Sequence, residues 1–134
     1  MKEISLSIKD LLGDDKKLTF LVGAGCSIDP PSCLADGFKM MKSIIDYTCD
    51  QSEIENVLDF LNSGKLRFEA LVEIIRDHLD NNLKIIDYYN QCNKPNIQHF
   101  YLANMIKKGQ FVMTTNFDFL IEYALLNLDI NKND

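Results

Sequence analysis

The stretch from Leu18 to Ser27, "LTFLVGAGCS", runs from an apolar, β-forming segment directly into Gly-Ala-Gly and two small residues. Lys16 and Lys17 bound "LTFLV" before and Gly23 bounds it after, so the run reads as a short buried strand. Gly23 and Gly25 then have two readings. Glycine adopts positive φ cheaply, as a tight turn requires, and it also lets a backbone come close to a ligand. The stretch alone leaves both open.

A second such run, "QFVMTT" from Gln110 to Thr115, opens after Gly109. Between the two runs the apolar period lengthens from two to about 3.6. Phe38, Met41, Ile44 and Ile45 mark one helix, and Ile54, Val57, Leu58 and Leu61 mark another that stops near Gly64. Phe68, Leu71, Val72, Ile75 and Leu79 form the cleanest stripe, which reads as core. Glu69 and Glu73 lie off that stripe and would face a pocket only if the helix is turned inward. Shorter helices are expected at Leu83 to Tyr89 and, after Pro95-Asn96, at Ile97 to Lys108; the closing helix carries Leu120, Ile121, Ala124, Leu125 and Leu128.

The order is strand, several helices, strand, helix. Parallel strands need a crossover, and each strand here feeds a helix, so the expected class is α/β with a parallel sheet and a large helical insertion between its first two strands. Two strands are few for an open α/β sheet. A partner chain, a wrap of helices or a further C-terminal portion is expected to cover the edge, and the ending "NLDINKND" reads as a frayed polar terminus. The 134 residues read as one domain, the N-terminal part of a longer one.

Composition narrows the partners. A formal charge of -6 argues against a general grip on nucleic acid or an anionic membrane, which is mediated mainly by Lys and Arg. No apolar run reaches the roughly 20 residues that span a bilayer, and "MKEISLSIKDLL" lacks the order of a signal peptide, so a cytoplasmic location is expected. Cys26, Cys33, Cys49 and Cys92 form no Cys-x-x-Cys pair, so no metal site is expected. Cys26 reads as a small residue in a tight turn; a helix N-terminus lowering its thiol pKa is the alternative.

In open α/β sheets, ligands bind beyond the carboxyl ends of the strands. The first strand ends in Gly23-Ala24-Gly25-Cys26-Ser27 and the second in Thr114-Thr115-Asn116-Phe117-Asp118. Ile28 occupies the place of the third glycine of a dinucleotide fingerprint, and no Gly-Lys-Ser/Thr follows, which disfavours a P-loop. Asp118 reads either as a site carboxylate or as an N-cap for the next helix, and Asn116 either as a site amide or as a turn residue in the αL region. His99 reads as a packing or hydrogen-bonding residue near a helix start, and His78 as a solvated one.

These residues resemble a family. "GAGCS", "PNIQHFYLA" and "TTNFD" are similar, in the same order, to the signature series of the Sir2 family, specifically its bacterial and archaeal SIR2-like domains, over about Leu18 to Leu126. The resemblance implies a partial Rossmann-like fold of Sir2 type with NAD, or a related nucleotide, as ligand. It makes Gly23, Ala24, Gly25, Ser27 and Thr115 candidates for binding NAD, with the glycine loop on the diphosphate. It makes Asn116 the catalytic amide and Asp118 the contact to nicotinamide.

The chain also departs from the family pattern. "IDPPSCLADGFKMM" stands where sirtuin deacetylases carry Ile-Pro-Asp-Phe-Arg, and the paired zinc-module cysteines are missing, both against protein deacylation. The family's catalytic His lies downstream of Asn-x-Asp, and no His follows His99 here. The leading expectation is an NAD-cleaving hydrolase in complete form, of the kind found in antiphage defence, with this chain inactive alone. A non-catalytic NAD or ADP-ribose sensor is the alternative, ahead of a deacylase. A homo-oligomer and downstream domains of a longer protein both remain open as partners.

Overall fold

The computed structural model describes residues 17–130; the leader reading of residues 1–12 and the last four residues fall outside it. The described residues form a mixed α/β structure of six α-helices and a two-stranded parallel sheet. Strand β1 is Thr19–Val22 and β2 is Phe111–Thr114, paired in register from Thr19 opposite Phe111 to Val22 opposite Thr114. Five helices lie between the strands: α1 (Gly37–Thr48), α2 (Ile54–Asn62), α3 (Phe68–His78), the single turn α4 (Asp87–Asn90) and α5 (Ile97–Lys107). The sixth, α6, is Leu120–Ile130, so Asn127 to Ile130, expected as part of a frayed end, continue the last helix.

Each boundary has a local cause. Asp36 starts α1 by accepting the Lys39 N–H at 2.7 Å. Gly64 and Gly109 take φ of +73° and +79°, the left-handed conformation in which helices commonly end and which costs glycine least. Gly109 thereby turns α5 back into β2.

The core has two parts. Met40, Met41, Ile44 and Ile45 of α1 pack with Leu61, Leu71, Ile75 and Tyr89 of the helical insertion and with Leu120 of α6. A smaller cluster joins Cys26, Leu102 and Ile121 to Phe20, Val22 and Val112, placing α5 and α6 over one sheet face. Ala103 and Ala124 are wholly buried, one on each of these two helices, where any larger side chain would displace a neighbour.

Two expectations from the apolar pattern are corrected. The strand read as fully buried alternates instead: Phe20 and Val22 are half-buried, while Thr19 and Leu21 are exposed, as are Phe111 and Met113 on β2. The period of two is what a sheet covered on one face produces. Leu79, counted with the α3 stripe, lies beyond the helix end and is exposed, whereas Leu71 and Ile75 are buried as expected.

The insertion core gives a direct test. Ile45 is 1% exposed at the centre of the larger cluster. Ile45→Ala is expected to cost about 2–5 kcal/mol of unfolding free energy by chemical denaturation, from lost burial and the cavity left behind.

Candidate functional site

The ends of both strands meet at one hydroxyl. After β1 the chain enters a single 3₁₀ turn, Ala24–Ser27, that delivers Ser27 to the interior, 2% exposed. The Ser27 hydroxyl donates to Asp118 Oδ2 at 2.8 Å. It accepts from Asn116 Nδ2 at 3.3 Å and lies 3.2 Å from His99 Nε2. A hydroxyl has one donor and two acceptor sites, so these contacts use all three.

The direction of the His99 contact follows from the other side of the ring. His99 is the N3 residue of a capping box at the start of α5, where its Nδ1 accepts the backbone N–H of Asn96 at 3.1 Å. Nδ1 is therefore unprotonated, the neutral ring carries its proton on Nε2, and Nε2–H donates to Ser27. Burial holds the His99 pKa below the ordinary imidazole value, against the smaller opposing pull of Asp118. Ser27, His99 and Asp118 thus lack nucleophile-activating geometry: the imidazole gives a proton to the serine oxygen instead of accepting one.

Asn96, which its sequence context marks only as a helix start, fixes the loop from the other side. It is 1% exposed. Its Nδ2 donates to the carbonyls of Cys26 and Asp29, at 2.9 and 3.2 Å, while its Oδ1 accepts the Gln98 N–H at 2.9 Å. One side chain therefore caps α5 and ties the glycine turn to it. The signal for the cap lies in Pro95-Asn96, since Asn is a favoured cap; the sequence holds none for the tie to the turn.

The backbone at the two glycines separates their readings. Gly23 is extended at φ −122°, and neither Gly23 nor Gly25 has positive φ, so neither is needed for a left-handed turn. A Cβ on Gly25 would meet nothing within 4 Å, and one on Gly23 would meet only Thr115 Oγ1 at 3.8 Å. Internal packing does not require Gly25; what remains of its two readings is open space in front of the backbone. Asn116 is likewise not in the αL region, so it is not a left-handed turn residue. Asp118 lies one residue before the cap position of α6; its Oδ1 accepts the Leu120 N–H at 3.1 Å, the first N–H of that helix, while Oδ2 accepts from Ser27.

Two hollows flank the glycine turn. A cavity of about 520 Å³ is lined by Ala24 and Ser27, by Asn116, Phe117 and Asp118 after β2, and by Phe68, Val72 and Tyr89 from the insertion. Glu69, Glu73 and Arg76 of α3 also border it, which settles the rotation that the stripe left open. On the other side a shallower groove of about 540 Å³ runs along Leu21 to Cys26 and the Ile97, Gln98 and Tyr101 side chains of α5. Ala24 borders both. Within the site Asn116 Oδ1 is buried with no hydrogen-bond partner, a state that costs about 1–3 kcal/mol until a donor reaches it.

Thr115 stands at the rim, with its Oγ1 3.4 Å from the Val22 carbonyl. The Cys26 thiol is buried and its pKa is raised by desolvation and by Asp118, so it is a packed neutral group and not an activated one. His78 is exposed. The four cysteines are free, and no group of three or more His, Cys, Asp or Glu suited to a metal occurs among the described residues. No described helix is long and apolar enough to cross a membrane. Comparison with protein-family models, with curated proteins and with solved structures finds no match.

The buried imidazole predicts a pH dependence. Protonation would place a second donor on Nδ1, against the Asn96 N–H, so the folded state binds this proton less well than the unfolded chain does. Its contribution to stability is complete above the ordinary pKa of about 6.5 and declines as pH falls from there through the lower folded-state value. Urea unfolding at pH 7.5 and 5.0 is expected to show lower stability in acid, and His99→Gln to reduce that difference.

Proposed function

We propose that this chain is a SIR2-like domain of partial Rossmann type that binds NAD across the glycine turn. The observation that carries this reading is the pair of hollows joined by Gly23-Ala24-Gly25, with open space where a Gly25 side chain would be. A dinucleotide has that form: two nucleosides joined by a diphosphate that a side-chain-free backbone can approach. Each hollow has the volume usual for small-ligand sites.

In this reading the nicotinamide half occupies the cavity beside Asn116 and Asp118, and the adenosine half lies in the groove along α5. Asn116 Oδ1 supplies the acceptor for a ribose hydroxyl or an amide N–H, which ends its unpartnered state. Asp118, already held by Ser27 and Leu120, presents a fixed carboxylate to the carboxamide. Ser27, with every hydrogen-bonding site committed, positions these two residues and does not itself grip phosphate. Cleavage of the glycosidic bond develops positive charge at the ribose, and a fixed amide and carboxylate are suited to orient and stabilise it.

One observation favours a second reading, binding without cleavage by this chain alone. The His99 proton is committed to Ser27, so the described residues offer no free imidazole at the rim to act as base. In the cleaving reading that base comes from a further segment or a partner.

Calorimetric NAD titration beside a nicotinamide-release assay, on the protein at its natural full length, tests both readings. Gly25→Val is expected to change unfolding free energy by less than about 1 kcal/mol, since a Cβ there meets no atom within 4 Å, yet to abolish NAD binding. Wild-type affinity in that variant would reject the glycine-turn site. Asn116→Ala is expected to lower nicotinamide release about 100-fold while weakening NAD affinity much less. NAD binding with no release by the wild type would leave the sensor reading.

A further inference from the structure

Resting on that reading, we propose that α3 makes the cavity selective for the charge of the ring it receives: Glu69 and Glu73, together with the aromatic rings that border the same cavity, favour the cationic oxidised nicotinamide over the neutral reduced form. The rings are those of Phe117, Phe68 and Tyr89, the last two with centroids 6.3 and 6.0 Å from that of Phe117. All three rings border the cavity. An aromatic surface attracts a cation through its quadrupole and treats a neutral ring as ordinary apolar matter.

The charges act in the same direction. Glu69, Glu73 and Asp118 border the cavity against one cation, Arg76. Arg76 is itself divided between Glu73 at 3.5 Å and Asp77 at 2.9 Å, and Glu69 meets Arg67 at 3.6 Å. Counting these neighbours, four carboxylates face two guanidinium groups, so the border keeps a negative excess. That excess repels a diphosphate from the cavity and leaves it to the glycine turn. The groove on the other side of the turn, bordered by Leu21, Ile97, Gln98 and Tyr101, has no charged residue on its border and discriminates neither form.

Glu69 and Glu73 are exposed side chains on a helix whose packing rests on Leu71 and Ile75, so Glu→Gln substitutions there preserve the fold. Calorimetric titration of NAD and NADH into the wild type and into the Glu69→Gln/Glu73→Gln double variant is the test. The wild type is expected to bind NAD about tenfold more tightly than NADH, from carboxylate and aromatic contributions together. The double variant is expected to lose about threefold in NAD affinity with NADH affinity unchanged, and to do so less at high salt, where exposed charges are screened. Phe117→Leu is expected to narrow the same ratio. NAD binding with an unaltered NAD-to-NADH ratio in both variants would overturn this inference and leave the NAD reading standing; binding of neither form by the wild type would overturn both.

Discussion

The Ser27 hydroxyl is the point on which the candidate site depends. It lies between the end of β1 and the end of β2, which are about 90 residues apart in sequence, and joins them through Asp118 and Asn116. It also accepts a hydrogen bond from the His99 Nε2–H, and His99 is half of the capping box that starts α5. The turn after β1, the cap of α5 and the first turn of α6 therefore share one buried polar network. An unpaired member of such a network is costly, and here one atom, Asn116 Oδ1, has no protein partner. The exception is at the cavity border, where a ligand can supply the missing donor.

The helical insertion has a different task. With its core on α1 and Leu61, Leu71, Ile75 and Tyr89, it closes the far side of the cavity and sets α3 so that Val72, Glu69 and Glu73 border it. A two-stranded sheet alone would present the glycine turn and the Asn-x-Asp segment to open solvent. The insertion converts that rim into a half-open, partly aromatic hollow.

Much of the fold is legible in the sequence because it rests on local signals. The change of apolar period separates strands from helices, and Gly64 and Gly109 mark real stops with positive φ. Positions are less legible where tertiary contacts decide them. Leu21 and Met113 read as buried because strand pattern records side-chain type and not which sheet face is covered. The site residues after each strand are visible as unusual strand ends, but their wiring is not. Asn96 does not stand out because a cap and a loop clamp have the same local sequence, and the Ser27–His99 contact spans 72 positions with no periodic trace. The rotation of α3 cannot be read from a stripe whose flanks carry both Glu and Arg, and packing fixes it.

If the Ser27 hydroxyl holds the two strand ends together, Ser27 and Asp118 must act as one unit. A double-mutant cycle on unfolding free energy, comparing Ser27→Ala, Asp118→Ala and the double variant with the wild type, measures that unit directly. Residues sharing a buried hydrogen bond are predicted to show a coupling energy of about 1–3 kcal/mol, the double variant being less destabilised than the sum of the singles. Strict additivity would contradict this, for it would mean that the two strand ends are set independently and that the hydroxyl between them holds neither.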